Sequence, residues 1–117
     1  HTSQLAGLAA LKLPKKYISE MVREYDWRRK LIVRRLNEIG LQTVNPEGTF
    51  YALADISNFS SSSVKFAKDL IKGARVACVP GTEFGPFGEG LVRFSYANNY
   101  KLIGAAMDRI EKVLKNV

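Results

Sequence analysis

The first forty residues place apolar side chains at helical spacing. Residues 1–13 favour a helix that Thr2 or Ser3 could cap, and Pro14 then begins a longer amphipathic segment. Gly40 suits the position just after a helix end, so the pattern predicts one helix of about 25 residues and roughly 38 Å, longer than a domain of this size needs. The apolar stripe of this helix consists of Ile18, Val22, Tyr25, Ile32, Leu36 and Ile39.

After Gly40 the apolar period changes to that of strands. The runs 41–44 and 49–56 predict two strands on either side of the turn NPEG, and the runs 75–79 and 91–97 predict two more. Alternation gives the second strand a core face made of Phe50, Ala52, Ala54 and Ile56. In the last strand the core face consists of Val92, Phe94 and Tyr96.

Two further helices alternate with these strands. The serines at 60–63 predict a cap for a helix whose apolar stripe consists of Phe66, Ala67, Leu70 and Ile71. A last helix, roughly Tyr100 to Lys115, has a stripe that consists of Ile103, Ala106, Ile110 and Val113. This order of elements predicts a two-layer α/β fold, in which helices cover one face of a small, mostly antiparallel sheet.

Composition narrows the classes of protein to consider. The 117 residues, 46% hydrophobic and 25% charged, fit one globular domain. The net charge of +7 suggests nucleic acid as a partner, but the basic residues interleave with acids along the long helix, as on a solvated face. No apolar run approaches the roughly 18 residues of a membrane span and no signal pattern opens the chain, so a cytoplasmic protein is expected. Because the single histidine is terminal and Cys78 is the single cysteine, a zinc site and a histidine-dependent triad are not expected.

Arg93 is the residue that the apolar pattern does not explain. Alternation places it on the face of the last strand that points away from the helices, where it could be a solvent-facing arginine or a site for a carboxylate or phosphate. The preceding loop, PGTEFGPFGEG at 80–90, has four glycines and two phenylalanines. It lacks the GK[ST] ending and the following helix of a phosphate-binding loop. Glu83 and Glu89 could form an acid/base pair, although solvated carboxylates are favoured.

Three motifs carry a resemblance to a known family. VPGTEFGPFGEGLVRFSYA resembles the small-domain signature of class I/II aminotransferases, the fold-type I pyridoxal-phosphate enzymes related to aspartate aminotransferase. NPEGTFYALADI resembles the earlier strand of that domain, and HTSQLAGLAAL resembles the segment after the cofactor-lysine region. The resemblance covers essentially the whole chain, with the motifs in the family's order.

The resemblance implies which domains and which site residue this chain would contribute to an enzyme. Residues 1–13 would end the large domain that binds pyridoxal 5′-phosphate (PLP), and residues 14–117 would form the small domain. Arg93 would pair with the α-carboxylate of an amino acid or 2-oxo acid substrate. The Schiff-base lysine would lie upstream, so this chain alone is expected to hold no catalytic or cofactor-binding residue and to be inactive. The parent enzyme would be a homodimeric transaminase.

Two other hypotheses remain open. The chain could be a stand-alone regulatory domain that binds a free amino acid. It could also be an α/β domain that binds RNA on its open sheet face, although Tyr51 is the only aromatic residue expected there, and RNA readers of this kind stack bases on several exposed strand aromatics.

Overall fold

The computed structural model describes residues 1–116, and within them the chain forms four α-helices and one three-stranded sheet. The predicted α/β fold class is confirmed, with three strands among these residues in place of the four predicted. In chain order the elements are α1 (Thr2–Leu11), α2 (Lys15–Ile39), β1 (Tyr51–Asp55), α3 (Ser63–Ala74), β2 (Val79–Pro80), β3 (Leu91–Ser95) and α4 (Tyr100–Leu114).

The sheet is antiparallel, with strand order β1-β3-β2, so β3 is central. The helices cover one face of it. That face and the adjoining residues supply the buried side chains Ala52, Ala54, Ile56, Val92, Phe94 and Tyr96, all at most 2% exposed. Alternation therefore identified the core face of β3 correctly, and the opposite face remains open.

Local capping explains where the helices begin and end. Gly40 adopts a left-handed conformation with φ of 98° and ends α2, as predicted. The Ser62 side chain accepts a hydrogen bond from the Lys65 backbone N–H, so the serine run does cap α3. Asn99 caps α4 in the same way, through Leu102 N–H. The first helix differs from expectation, because it begins at Thr2 without any side-chain cap.

Two of the four predicted strands are much shorter than their apolar runs. In the run 41–44 only Thr43 forms an isolated bridge, with Ala54, and in the run 75–79 only Val79 pairs with β3. An apolar run forms a strand only where a partner strand lies alongside it, and propensity does not reveal the partner. Phe50 was also wrongly assigned to the core, since it is 40% exposed and its ring packs against neighbouring tyrosines.

The apolar stripe of α2 is buried only in its second half. Leu31, Ile32 and Leu36 are buried, whereas Ile18 and Val22 are 62% and 58% exposed. No residue of α1 is buried. On α3, Ile71 of the predicted apolar stripe is likewise 51% exposed. The core accordingly lies between the sheet, α3, α4 and the second half of α2, and the preceding helical segments extend beyond it.

An ion-pair network joins the two helices that cross behind the sheet. The guanidinium of Arg35 on α2 donates to Asp108 at 2.7 Å and to Glu111 at 2.8 Å, both on α4. Other basic residues of α2 form ion pairs within the helix, such as Arg28 with Glu24.

Within residues 1–116, none of the helices combines the length and the apolar character needed to cross a bilayer.

Candidate functional site

Arg93 lies at the centre of β3, on the open face of the sheet, as predicted. Its neighbours in register are Leu53 on β1 and Val79 on β2. Tyr51 pairs with Ser95, two residues further along β3, and is therefore a diagonal neighbour of Arg93 on the same face. The sheet thus presents one cation, flanked by an aromatic ring, at its middle.

Two aromatic rings contact the guanidinium group. The Cζ atom of Arg93 lies 4.1 Å from the centroid of the Tyr51 ring and 4.6 Å from that of Phe84. Both distances suit a cation–π interaction, which favours the charged side chain in a fixed position. We call Arg93, Tyr51 and Phe84 together the arginine site.

The side chain of Arg93 has no polar partner among residues 1–116. Its Nε atom is buried without a hydrogen bond, and no carboxylate lies within ion-pair distance of the guanidinium. Leaving a charged donor unsatisfied in this way is costly, by roughly 1–3 kcal/mol or more. Such an arrangement suits a group that binds a carboxylate or phosphate from outside, through two parallel N–H···O bonds.

The arginine site opens into a cavity of about 940 Å³. Residues of the segment 42–49, β1, the glycine loop (residues 80–90) and β3 line it. Asp55 is the only acidic residue in the described lining, and its carboxylate accepts a hydrogen bond from Ser57 N–H at 2.7 Å, which lowers the pKa of Asp55. The cavity therefore offers one free cation, which suits binding and orienting an anion rather than acid–base chemistry.

The glycine loop consists of two 3₁₀ turns pressed against each other, Gly81–Phe84 and Pro86–Gly88. A Cβ atom added to Gly81 would lie 1.9 Å from the carbonyl oxygen of Gly88, and one added to Gly88 would lie equally close to that of Gly81. Only glycine permits this approach. The packing of these turns places Phe84 over Arg93 and leaves Phe87 98% exposed.

The two glutamates of the glycine loop differ in their hydrogen bonds. One carboxylate oxygen of Glu89 accepts backbone hydrogen bonds from Ser63 at 2.6 Å and from Gly90 at 2.9 Å. The bonds from Gly90 and Ser63 lower the pKa of Glu89. The side chain of Glu83 forms no hydrogen bond within residues 1–116, and Glu83 is exposed. Nothing in the geometry pairs these two groups as acid and base.

Sequence reasoning found the arginine but missed its surroundings. Tyr51 was identified as an aromatic residue on the open face, and the register of β1 on β3 was the information needed to place it beside Arg93. Phe84 lies in a loop, where no periodicity indicates direction. The hydrogen bond from Ser63 to Glu89 joins residues 26 apart in sequence, which no local pattern reveals.

Comparison with known proteins assigns the family. The sequence profile "Aminotransferase class I and II" matches residues 1–110. The chain belongs to the class I and II aminotransferases. It is 48% identical over 114 residues to aromatic-amino-acid aminotransferase 2 of Thermococcus litoralis and 50% identical over 100 residues to an aspartate aminotransferase of Pyrococcus abyssi. These matches cover 96% and 86% of this chain.

A solved structure shows the same fold. The alanine aminotransferase from Pyrococcus furiosus superimposes with a TM-score of 0.93 at 34% identity, over 97% of this chain. The chain spans only 29% and 26% of the lengths of the two curated relatives and 30% of that structure. The resemblance to aspartate aminotransferases that the motifs indicated is thus confirmed, for a segment that corresponds to less than a third of those proteins.

Enzymes of this family use PLP, which needs a lysine for its covalent attachment and a phosphate site. The described lining of the cavity contains no lysine, and Arg93 is its only cation. Pro86 removes one backbone donor from the glycine loop, and no helix begins directly after that loop. This cavity and the glycine loop therefore lack the lysine and the helix N-terminus that such attachment and phosphate binding use.

Proposed function

We propose that this chain serves a PLP-dependent transaminase as the domain that binds the substrate α-carboxylate, with Arg93 as the binding residue. The reaction would move an amino group between an amino acid and a 2-oxo acid. The observation that supports this role is the guanidinium without an internal polar partner, which lies on the open face of the sheet beside a large cavity. A carboxylate is planar and has two oxygens, so it can accept two parallel hydrogen bonds from one guanidinium group.

In this proposal the chain orients the substrate and takes no part in breaking its bonds. Two parallel hydrogen bonds from Arg93 would fix the plane of the carboxylate, and thereby the direction of the adjoining Cα–H bond. When bound, PLP supplies an electron sink for the reaction, and other residues of the enzyme would hold it. Residues 1–13 would then belong to the large domain and residues 14–117 to the small domain of a homodimeric, cytoplasmic enzyme.

The names of the relatives favour a role that does not depend on the substrate side chain. The matched proteins are named for aromatic amino acids, aspartate and alanine, which share the α-amino and α-carboxylate groups and differ in the side chain beyond Cβ. A residue that binds the common carboxylate can serve all of these substrates. We therefore propose that Arg93 contributes similarly to the binding of each amino acid and 2-oxo acid that the enzyme uses.

Substitution of Arg93 in the enzyme that contains this domain tests the proposal. A charge-assisted hydrogen-bonded pair contributes about 1.5–3 kcal/mol, so Arg93→Ala should lower kcat/KM by at least roughly tenfold to a hundredfold. Arg93→Lys should restore only part of the activity, because an ammonium group keeps the charge but cannot donate two parallel hydrogen bonds in one plane. Steady-state kinetics with both the amino acid and the 2-oxo acid measure the effect.

Two controls separate binding from folding. Arg34→Ala removes an arginine that is exposed on α2, and it should leave kcat/KM within about twofold of the parent value. Amine substrates without an α-carboxylate should respond little to any of these changes. If Arg93→Ala lowered thermal stability but left the kinetics of the folded enzyme unchanged, Arg93 would be a structural residue. Detectable calorimetric binding of a free amino acid by the chain alone would favour the regulatory-domain hypothesis instead.

A further inference from the structure

The two rings of the arginine site are supported differently. Tyr51 begins β1, which pairs with β3 along five residues, so the sheet itself sets the distance between Tyr51 and Arg93. Phe84 lies in the glycine loop, at the end of the first 3₁₀ turn. Its contact with Arg93 therefore depends on how the loop is attached to the rest of the domain.

Internal contacts make the loop one unit, whose first turn lies against β3 and α3. The close approach of Gly81 and Gly88 presses the two turns together. Backbone bonds from Gly85 to Thr82 and from Gly88 to Gly85 close each turn. A unit of this kind keeps its shape but can still move as a body, unless its ends or side chains hold it to neighbouring elements.

Glu89 supplies such an attachment. Its carboxylate accepts the backbone N–H of Ser63, the first residue of α3, at 2.6 Å, and that of Gly90 at 2.9 Å. Among the residues that the structure describes, Glu89 is the only one of the loop whose side chain hydrogen-bonds outside the loop. Ser63 is fully buried, so the attachment point is fixed by the core. A backbone bond from Ile56 to Gly90 holds the end of the loop beside it.

We propose that Glu89 is a positioning residue for the arginine site. By binding the start of α3 it holds the glycine loop in the position where Phe84 contacts the guanidinium of Arg93. This inference rests on the proposed carboxylate-binding role of Arg93. A loss of this attachment weakens carboxylate binding in the ground state and the transition state alike, which raises KM and leaves kcat nearly unchanged.

The primary test measures KM and kcat of the enzyme that contains this domain. Glu89→Ala should raise KM for α-carboxylate substrates about three- to tenfold, with kcat within about twofold of the parent value. Glu89→Gln should keep most of the parent KM, because an amide oxygen still accepts from the Ser63 N–H. Glu83→Ala, in the same loop but without a hydrogen bond, is the matched control and should leave KM unchanged.

A second variant removes the same bond from the other side. Ser63→Pro deletes the backbone N–H at the first position of α3, where a proline is favoured, and Ser62 already has the extended conformation that must precede it. It should reproduce the KM effect of Glu89→Ala. If Glu89→Ala does not fold, as judged by thermal unfolding, Ser63→Pro takes its place in the comparison.

A double-mutant cycle with Phe84→Leu tests the route of the effect. If Glu89 acts through Phe84, Glu89→Ala should change KM less than twofold when Phe84 is already leucine. A full effect in that background, or no effect of Glu89→Ala in the parent enzyme, would overturn the inference.

The two proposals fail separately. If Arg93→Ala spares carboxylate substrates the proposed function is wrong, whereas if it impairs them and Glu89→Ala does not, only the role of Glu89 is wrong.

Discussion

The nearest aromatic contact of Arg93 is with the face of the Tyr51 ring, 4.1 Å from Cζ to the centroid. A cation–π contact of this kind contributes about 0.5–2 kcal/mol. Because this contact holds the guanidinium in position for the substrate, Tyr51→Leu should raise KM for α-carboxylate substrates, by at most about thirtyfold. Tyr51→Phe keeps the ring and should keep KM. Steady-state kinetics distinguish the two, and an equal loss in both variants would show that the hydroxyl group matters rather than the ring face.

The same residues show what a sequence can reveal about a site. Strand alternation identified Arg93 as a charge pointing away from the core, because that argument needs only the residues of β3. Tyr51 needed the register between β1 and β3, a long-range property. Phe84 and Glu89 depend on a close approach of Gly81 and Gly88 and on a backbone donor in α3, and neither contact follows from composition or period.

Between elements, the contact of α2 with α4 includes a polar network that pH should test. Hydrogen bonds from Lys115 and then Arg35 lower the pKa of Glu111 from 4.5. Because the folded-state pKa lies below the unfolded value, the stabilisation is fully present above about pH 4.5 and is lost as pH falls through the folded-state pKa. Glu111→Gln should lower Tm by a constant amount at neutral pH, and the difference from the parent should shrink below pH 4.5.

Thermal unfolding between neutral and acid pH measures this difference. Glu20→Gln is a matched control, since the pair of Glu20 with Lys16 is 3.9 Å long and exposed, and it should change Tm little. A Tm difference for Glu111→Gln that persists or grows in acid would show that the network does not stabilise the contact through the ionised carboxylate.

The helices were more predictable than the strands for a physical reason. A helix satisfies its hydrogen bonds locally, so Gly40, Ser62 and the apolar period were enough to place the ends of α2 and α3 closely. A strand needs a neighbour. The run 75–79 has the composition of a strand but pairs with β3 only from Val79 onward, and the run 41–44 contributes a single bridge.

At the scale of the whole molecule, α1 and the first half of α2 extend from a core that the rest of the chain forms. The described residues span 52 × 30 × 24 Å with a radius of gyration of 16.9 Å, against about 13 Å for a compact domain of this length. The helical period predicted both helices and a long helix that exceeds what the domain needs, and among residues 1–116 the apolar sides of α1 and of the first half of α2 remain exposed. Such a projection supports the proposed assignment of residues 1–13 to another domain.

This projection predicts how the 117-residue chain behaves alone. The exposed apolar side chains include Leu5, Leu8, Tyr17, Ile18, Met21 and Val22, each more than half exposed. Contiguous exposed apolar surface promotes association, so the chain should associate with a second copy or fray over its first 22 residues. Sedimentation at several concentrations and hydrogen exchange measure the two outcomes.

Substitutions on the exposed apolar side of α2 test whether that side causes the association. Ile18→Glu combined with Val22→Glu should abolish concentration-dependent sedimentation, because two charges on one helix face oppose its burial against another surface. Ile71→Glu introduces a charge at a comparably exposed position on α3, 51% exposed, and should leave association unchanged. A chain that stays monomeric at every concentration, with slow amide exchange from residue 2 onward, would contradict the prediction, since it would mean that the N-terminal helices are stable without any covering surface.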